Sequence, residues 1–564
     1  PYQIADHFNK YFITVAEKTL QEHHHTPSPA VRKPTEAVVT KLKLTKTDPR
    51  EVNAIIDSFK PKTSAGEDEV SAKLIKFCKT ELIEPIVDII NKSFEEGTFP
   101  SGLKISKVYP KYKNGEITDI SCYRPISLVP TLSKILEKIV LIRLLDHLKG
   151  NNLLTPRQHG FLPGRSTTSA IVQLVETVID HLENGSIATT ILLDLSKAFD
   201  CLGHSLIMDK LHLLGVTGKE AKWFNTYLTN RKQLVELTCK SKNSIIKVKS
   251  KPLEIKRGVP QGSVLGPILF ILLTNDLPDF LHNFCQTVLY ADDTALILAN
   301  SNKDQLDILS FIAFEMTKQY CGRNDLALNE KKTQQLIFTA TRNNYDPLPQ
   351  LSITDSAKYL GITIDNTLSW TPHIDQLIKK LSSSVYVIRR MNQISDSQTA
   401  RTAYFALFES HLRYGLVAWG GTTAQNLHRV LVVQKRAMRA LTGLNYRESC
   451  KEAFKEQRIL TVVALYILET IIHAVTSNQT RLADQHHYNT RNRHNFLLES
   501  HQLSLYEKKP SYKGATLFNM LPDHLKTLPA RNLKTATKNW LLQHPIYSVR
   551  EFLDWRNNAA TEHP

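Results

Sequence analysis

Two apolar, β-prone runs near the middle of the chain flank a pair of adjacent carboxylates. The runs cover residues 287–290 and 294–298, and Asp292 and Asp293 stand between them. Two such runs joined by a short polar link predict a β-hairpin. Both runs are too apolar for an exposed position, so we expect a largely buried hairpin whose acidic tip faces a cleft.

The apolar pattern elsewhere predicts a chain that mixes helices with short strands. Apolar residues recur at helical spacing over 52–59, 72–78, 85–94, 132–147, 169–182, 268–273 and 304–320. Short apolar runs at 189–193, 335–338 and 358–365 predict strands. Residues 47–51 combine a capping candidate, a proline and an early acid, which is typical of a helix start.

A third carboxylate, Asp194, follows the buried strand predicted over 189–193. Adjacent strands would bring Asp194 beside Asp292 and Asp293. Carboxylates that repel one another in a buried place are relieved by a divalent cation, and oxygen ligands suit magnesium or manganese. Three carboxylates on a sheet can hold two ions about 4 Å apart. The alternative is an acidic turn in solvent, as most Asp-Asp pairs are.

Basic residues and glycine-rich loops surround these acids in the sequence. Lysines alternate over residues 108–113, Arg124 follows, and the loops 158–168 and 256–267 each precede a predicted helix. Arginine and lysine on such strands and loops suit phosphate oxygens, although each alone is more often a surface charge. The amide of Gln261 is a donor and acceptor at the apex of the second loop, unless that loop is a plain turn before a helix.

The net charge of the chain indicates a polyanionic partner. The chain has 71 Lys and Arg against 54 Asp and Glu, a net charge of +17, which favours nucleic acid over the alternative of an unrelated basic enzyme. The seven cysteines are scattered, as expected in a reducing compartment, with no zinc spacing. No apolar run is long enough to cross a bilayer, and no signal peptide is visible. Residues 21–37 read as a linker, and their run His23-His24-His25 is more typical of solvated linker than of a metal site.

Five motifs occur together, and their order is more specific than any one of them. They are Tyr123-Arg124-Pro125-Ile126-Ser127-Leu128, Gly160-Phe161 with Gly164-Arg165-Ser166, Asp194 with Ala198-Phe199-Asp200, Gly258-Val259-Pro260-Gln261-Gly262-Ser263, and Tyr290-Ala291-Asp292-Asp293. This series resembles the reverse transcriptases of non-LTR (LINE-type) retrotransposons, nearest to the jockey-like arthropod group. The likeness is clearest from about Ile105 to Asp365.

The resemblance implies an α+β fold of the right-hand polymerase type, with fingers, a palm built on an antiparallel sheet, and a helical thumb. It implies mainly helical N- and C-terminal extensions. The expected division is 1–100 for the N-terminal extension with its linker, 101–370 for fingers and palm, 371–445 for the thumb, and 446–564 for a basic C-terminal region.

The resemblance also implies roles for single residues. Asp194 and Asp292 would be the principal metal ligands, Asp293 the supporting acid, and Lys332 a proton donor to the pyrophosphate. Arg124, and with a less typical surrounding motif Lys111, would grip the triphosphate. Phe199 would exclude a 2′-hydroxyl, Gln261 and Gly262 would support nucleotide and template, and Leu360 and Gly361 would lie in the primer grip.

The activity implied is RNA-directed DNA polymerisation from a primer 3′-hydroxyl, with two Mg²⁺ ions or Mn²⁺ in their place. The expected partners are an RNA template, a DNA primer or target and dNTPs, with no membrane, in the nucleus and cytoplasm. An RNA-templated RNA polymerase is a second enzyme hypothesis, against which Phe199 argues. A co-opted RNA-binding derivative without catalysis is the third, against which the intact acids argue.

Some domains usual in such elements are expected to be missing. We expect no endonuclease upstream, because nothing precedes Pro1 in this chain, and we find no cysteine–histidine knuckle or RNase H acid set. The unusual residues Cys201-Leu202-Gly203 after Asp200 lie outside the implied catalytic set. Template, target site, oligomeric state and the role of the C-terminal region do not follow from the sequence.

Overall fold

The computed structural model describes residues 1–22, 40–241, 244–339, 351–477, 479–484 and 492–561. The run His23-His24-His25, nearly all of the predicted linker 21–37, and residues 488–491 of the basic C-terminal segment lie outside the described residues.

The chain divides into two compact units, and each is built from several stretches of sequence. The first contains Pro1–Pro163, Leu193–Thr294 and Phe311–Lys332, and the second contains Gly164–Leu192, Ala295–Ser310 and Thr333–Pro564. The expected division at residues 100, 370 and 445 therefore stays a prediction, since the two units follow compactness rather than sequence order.

The first unit combines helices with one mixed sheet. Its helices are Tyr2–Glu22, Pro49–Ser58, Ala72–Phe77, Lys79–Glu96, Thr131–Gly150, Ala198–Cys201, His204–Leu213, Gly218–Leu228, Gly266–Thr274, Leu277–Leu281 and most of Lys303–Arg323. The sheet runs in the order Tyr123–Leu128, Ile105–Tyr112, Arg231–Ser241, Ser244–Lys249, with Leu253–Ile255 also paired to Arg231–Ser241. Ile105–Tyr112 is antiparallel to Tyr123–Leu128 and parallel to Arg231–Ser241. Leu195–Ser196 pairs with Ala327–Leu328, and Gln286–Tyr290 is a further strand.

The second unit is mainly helical. Its helices are Thr167–Glu183, Thr371–Ile394, Ser397–Ala403, the π-helical Tyr404–Glu409, Ser410–Arg413, Leu416–Trp419, Ala424–Thr442, Lys451–Glu456, Val462–Thr476, Pro510–Asn519, Asp523–Lys526, Ala530–Gln543 and Val549–Thr561. Four of its strands follow the order Ser352–Ile353, Gln334–Phe338, Ile187–Leu193, Asp293–Asn300. The strands Ser356–Tyr359 and Ile362–Asp365 form an antiparallel hairpin.

Local sequence explains where two of the predicted helices begin. Asp48 caps Pro49–Ser58, because its side chain accepts a hydrogen bond from the Glu51 N–H at 2.8 Å. Ser166 and Ser169 form a reciprocal capping box at the start of Thr167–Glu183. The first start was predicted from a capping candidate, a proline and an early acid, and the second from a loop that precedes a helical period.

The mixed α and β character and the hairpin at Asp292 are confirmed, and two details differ. Residues 358–365 were predicted as one strand but form part of a hairpin, because Leu360 (φ 46°) and Gly361 (φ 82°) take left-handed conformations that turn the chain. The expected antiparallel sheet is mixed: Gln334–Phe338 is antiparallel to Ile187–Leu193 but parallel to Ser352–Ile353.

Among the described helices, none has the length and apolar content that crossing a bilayer requires.

Candidate functional site

The acidic turn of the hairpin is held in a strained conformation. Ala291 and Asp292 make the turn between Gln286–Tyr290 and Asp293–Asn300, and Ala291 has a φ of 54°. A left-handed conformation is unfavourable for a residue with a Cβ, so the surroundings must enforce it. The flanking residues Val288, Leu289 and Ala295 are buried, as predicted.

The segment around Gln158 enforces this conformation. The Oε1 of Gln158, a buried side chain, accepts hydrogen bonds from the Ala291 N–H at 3.1 Å and the Gly160 N–H at 2.7 Å. The backbone of residues 157–159 bonds to both the N–H and the carbonyl of Leu289. A Cβ on Gly160 would lie 2.6 Å from the Ala291 nitrogen, so only glycine permits this approach. The turn carrying Asp292 is therefore clamped from one side.

Asp194 stands directly after the strand Ile187–Leu193 and is tied to the segment that carries Lys332. The Asp194 carbonyl accepts a hydrogen bond from the Asn329 N–H at 2.8 Å, and Leu195 is paired in register with Leu328. The turn at 329–332 then brings Lys332 to the same place. The short ladder thus connects an acid and a base that are far apart in sequence.

A cavity of about 730 Å³ in the first unit collects most of the predicted site residues. Its lining includes Arg124, Asp194, Phe199, Gln261, Gly262, Asp292 and Lys332, together with Lys113, Lys197 and Asp200. This volume lies within the range of about 300–1,000 Å³ that is usual for ligand sites.

The negative charges of the hairpin carboxylates are poorly compensated by nearby positive charges. Burial, together with the neighbouring Asp194, raises the pKa of Asp292, and Arg124 partly opposes this shift. Burial, followed by the negative charges of Asp292 and Asp194, raises the pKa of Asp293 to about 6. Part of that side chain nevertheless remains accessible to solvent. Three mutually repelling acids need a cation from elsewhere.

The donor set fits a hard divalent ion. Asp194 and Asp292 bring carboxylate oxygens to one cavity, and oxygen ligands of this kind suit magnesium or manganese. Within the described ranges, no three His, Cys, Asp or Glu side chains converge tightly enough to hold an ion by themselves.

Cationic side chains line the same cavity. The positive charge of nearby Arg124 is the largest influence that lowers the pKa of Lys113, followed by burial and by Lys332. Crowding of positive charges beside the acids is suited to a polyanionic ligand, such as a triphosphate, that is bound together with a cation.

The loop with Gln261 and Gly262 is fixed to the strand that carries Arg124. The Ser127 N–H donates to the Gln261 carbonyl at 2.9 Å, and Gly262 (φ 141°) passes so close that a Cβ would lie 2.3 Å from the Ser127 carbonyl oxygen. The Gln261 amide nitrogen donates to both carboxylate oxygens of Asp200, at 2.9 and 3.1 Å. The loop, Arg124 and the segment after Asp194 therefore form one rigid frame.

A buried acid on the helix Thr131–Gly150 holds the continuation of this loop. The Oε2 of Glu137 accepts hydrogen bonds from the Val264 N–H at 2.7 Å and the Leu265 N–H at 3.1 Å. Glu137 is fully buried and also accepts from the hydroxyls of Ser133 and Tyr227. Its position fixes the backbone that follows Gly262.

The ring of Phe199 lines the cavity and packs against Phe270, with ring centroids 4.9 Å apart. The Phe199 carbonyl accepts a hydrogen bond from the Val259 N–H at 3.3 Å. The position of this ring is therefore set by packing and by the backbone of the neighbouring loop.

Not every predicted residue reaches the cavity. Lys111 is exposed and Lys113 lines the cavity in its place, while Asp293 lies beside the lining residues. Leu360 and Gly361 belong to the second unit, where the Tyr414 hydroxyl donates to the Leu360 carbonyl at 2.6 Å. The roles assigned to these residues stay predictions.

Sequence reasoning missed four residues that shape the site: Lys113, Gln158, Asp200 and Glu137. The alternating lysines over 108–113 were a signal for Lys113. The roles of the other three depend on contacts between segments distant in sequence, which no local pattern reveals.

Comparison with known proteins identifies the class. Residues 110–364 match the model of the reverse transcriptase (RNA-dependent DNA polymerase) family. The cavity, its acids and its basic wall all belong to the matched region. This part of the chain is therefore similar to reverse transcriptases.

The similarity extends beyond that region to proteins of mobile elements in Drosophila melanogaster. The chain is 28% identical over 419 residues to the probable RNA-directed DNA polymerase from transposon BS. That alignment covers 71% of this chain and 45% of the relative. It is 24% identical over 446 residues to the probable RNA-directed DNA polymerase from transposon X-element (76% and 47%). It is 27% identical over 417 residues to the RNA-directed DNA polymerase from mobile element jockey (70% and 43%).

The predicted resemblance to the reverse transcriptases of non-LTR, jockey-like retrotransposons is thereby confirmed. The chain spans less than half of the length of each of these relatives.

Proposed function

We propose that this chain is an RNA-directed DNA polymerase of a non-LTR retroelement, which copies RNA into DNA from a primer 3′-hydroxyl. The observation that carries the proposal is the meeting of Asp194 and Asp292 with Arg124, Lys113 and Lys332 around one cavity in the reverse transcriptase domain. Its partners would be an RNA template, a DNA primer or target and dNTPs, and its place of action the nucleus and cytoplasm.

Two divalent ions, Mg²⁺ or Mn²⁺, would lower the pKa of the attacking hydroxyl and neutralise the leaving pyrophosphate. Asp194 and Asp292 would hold them, with Asp293 as the supporting acid. Arg124 and Lys113 would bind the triphosphate, a role for which Lys111 lies less favourably. Lys332 would donate a proton to the pyrophosphate.

The remaining cavity residues would select and orient the nucleotide. Phe199 would lie under the sugar and exclude a 2′-hydroxyl, and Gln261 and Gly262 would support nucleotide and template. In the right-hand arrangement, the mixed sheet with Arg124 would belong to the fingers, the acids to the palm, and the helices over 374–441 to the thumb. Leu360 and Gly361 would contact the primer.

Primer extension tests the proposal. The purified chain, supplied with a primed RNA template, dNTPs and Mg²⁺, should extend the primer, and EDTA should stop it. A folded chain that binds the template but never extends a primer would contradict the proposal. That result would favour the alternative of an RNA-binding derivative without catalysis, for which the comparisons give no support.

Replacing Phe199 by Val should admit ribonucleotides. The smaller side chain would remove the clash with a 2′-hydroxyl, so the preference for dNTPs over rNTPs should fall by about 10- to 100-fold, the usual scale of a steric pocket effect. The ratio of kcat/KM values for the two substrates measures it. Phe311→Val, at an exposed ring, is the control. Unchanged sugar selection would show that the role given to Phe199 is wrong.

Replacing Gln158 by Leu should slow extension without weakening dNTP binding. The change leaves the Ala291 and Gly160 N–H groups without their acceptor, and each such buried group costs about 1–3 kcal/mol. The turn carrying Asp292 would relax, and we expect kcat to fall about 10- to 100-fold with KM for dNTPs nearly constant. Gln286→Leu, exposed on the same hairpin, should have little effect. An equal loss in both variants would contradict the positioning role.

A further inference from the structure

The second unit contains a cavity of about 560 Å³ that the polymerase site does not use. It lies where residues 420–422, the first turn of Ala424–Thr442, and the stretches 504–513 and 547–550 meet. Its volume is within the usual range of about 300–1,000 Å³ for small-molecule sites. The cavity is therefore large enough for a single small ligand or one residue of a polymer.

The walls are mostly apolar and are held in place by close backbone packing. They include the side chains of Leu427, Tyr466, Tyr547 and Val549. A Cβ on Gly420 would lie 2.2 Å from the Tyr466 ring, and a Cβ on Gly421 would lie 2.9 Å from the Lys508 carbonyl oxygen. Since glycine alone allows these approaches, the wall formed by residues 420–421 has a defined shape.

Two lysines and one carboxylate, Glu507, line the same cavity, and the charge of Glu507 acts on Lys513. Neither Lys508 nor Lys513 forms an ion pair or hydrogen bond through its ammonium group within the described part of the chain, and burial lowers the pKa of Lys513. Glu507 is the one acid among the described lining residues, and its carboxylate lies 3.6 Å from His501. The fourth charged side chain, Arg550, pairs with Asp554 at 3.6 Å. Two lysine ammonium groups beside one carboxylate leave a net positive charge in the cavity, which favours an anionic ligand.

The start of the 19-residue helix Ala424–Thr442 adds to the positive potential. Thr423 caps this helix by accepting from the Asn426 N–H at 3.3 Å, which leaves the amides of Ala424 and Gln425 without acceptors inside the helix. The positive end of the helix dipole thus faces the cavity that Ala424 lines. Lysines and helix end act in the same direction.

We infer that this cavity binds a nucleotide, with the base against the apolar and tyrosine walls and the phosphate at Lys508 and Lys513. The apolar floor suits a flat, weakly polar base, and the two lysines suit an anionic phosphate. A free nucleotide and one residue of a single-stranded nucleic acid share this chemistry. The site is distinct from the cavity with Asp194 and Asp292 and needs no metal ligand of its own.

Lysine footprinting on the full chain tests the inference at single-residue resolution. The chain is acylated in EDTA with inorganic phosphate, uridine, uridine monophosphate or an eight-residue oligouridylate, and modification is read by mass spectrometry. Uridine monophosphate should protect Lys508 and Lys513 at least about fivefold, while the exposed Lys538 stays unchanged. Protection by the oligomer at lower concentration than by the monophosphate assigns the site to a strand, and the reverse order assigns it to free nucleotide.

Protection by none of the probes, or equal protection by uridine and by its monophosphate, would overturn the inference. A double variant, Lys508→Gln with Lys513→Gln, should weaken uridine monophosphate binding in calorimetry by about tenfold or more, because two charge-assisted contacts are lost. Lys538→Gln should bind as the unmodified chain does. Unchanged affinity in the double variant would also overturn the inference. Both measurements are independent of primer extension.

Discussion

Asp292→Asn should reduce primer extension by at least about a thousandfold. Asparagine keeps the size of the side chain and the turn, but it removes the charge that the metal and the transition state require. Single-turnover extension on a primed RNA template with Mg²⁺ measures the loss. Asp279→Asn, at an exposed acid of the same unit, is the matched control and should extend normally. Retention of more than about a tenth of the activity by Asp292→Asn would rule out Asp292 as a metal ligand.

The same substitution should stabilise the metal-free chain at neutral pH. A carboxyl whose pKa is raised in the folded state binds its proton more tightly there, so folding loses stability as the pH rises above the ordinary carboxyl range. Removing the charge of Asp292 should therefore raise Tm at pH 7 in EDTA. The gain should vanish at acidic pH, where the carboxyl is protonated in both states. A lower Tm at pH 7 would show that Asp292 is already compensated by neighbouring groups.

Gly262→Ala should disable the enzyme through its backbone. The new Cβ would lie 2.3 Å from the Ser127 carbonyl oxygen, and a φ of 141° is strained for any residue with a side chain. Relief requires the loop to move from the strand that carries Arg124, breaking the bond between the Ser127 N–H and the Gln261 carbonyl. We expect about a hundredfold loss of kcat/KM for dNTPs, on the scale of a strain of about 2–3 kcal/mol.

Gly102→Ala is the matched control for this change, because nothing lies within 4 Å of a Cβ at that position. It should leave extension and Tm unchanged. Wild-type kcat/KM in Gly262→Ala would mean that the loop accommodates a side chain, and the rigid frame around Gln261 would have to be abandoned.

The sequence predicted those parts of the site that local patterns encode. The apolar runs around Asp292, the strand before Asp194 and the helix after the loop 158–168 each depend on neighbours in sequence, and the structure contains all three. The motif around Arg124 was recognised, but the choice between Lys111 and Lys113 depended on where the strand Ile105–Tyr112 ends. That end is set by pairing with Tyr123–Leu128, which a single strand does not reveal.

The remaining misses have the same physical origin. The turn at Leu360 and Gly361 needs two left-handed residues, of which only the glycine is a signal. Gln158 and Glu137 act through hydrogen bonds to backbone groups more than a hundred residues away. Such contacts exist only once the chain has folded, so neither composition nor periodicity predicts them.

The burial of Glu137 has a consequence for chimaeras between related polymerases. This carboxylate receives two backbone N–H groups of the segment that follows Gly262, yet it belongs to a helix outside the motifs by which the domain is recognised. Transplanting residues 258–267 alone into a relative would carry the loop that contains Gln261 without the acceptor that fixes its backbone. A graft should therefore include Thr131–Gly150, so that Glu137 is transplanted together with the loop that it holds.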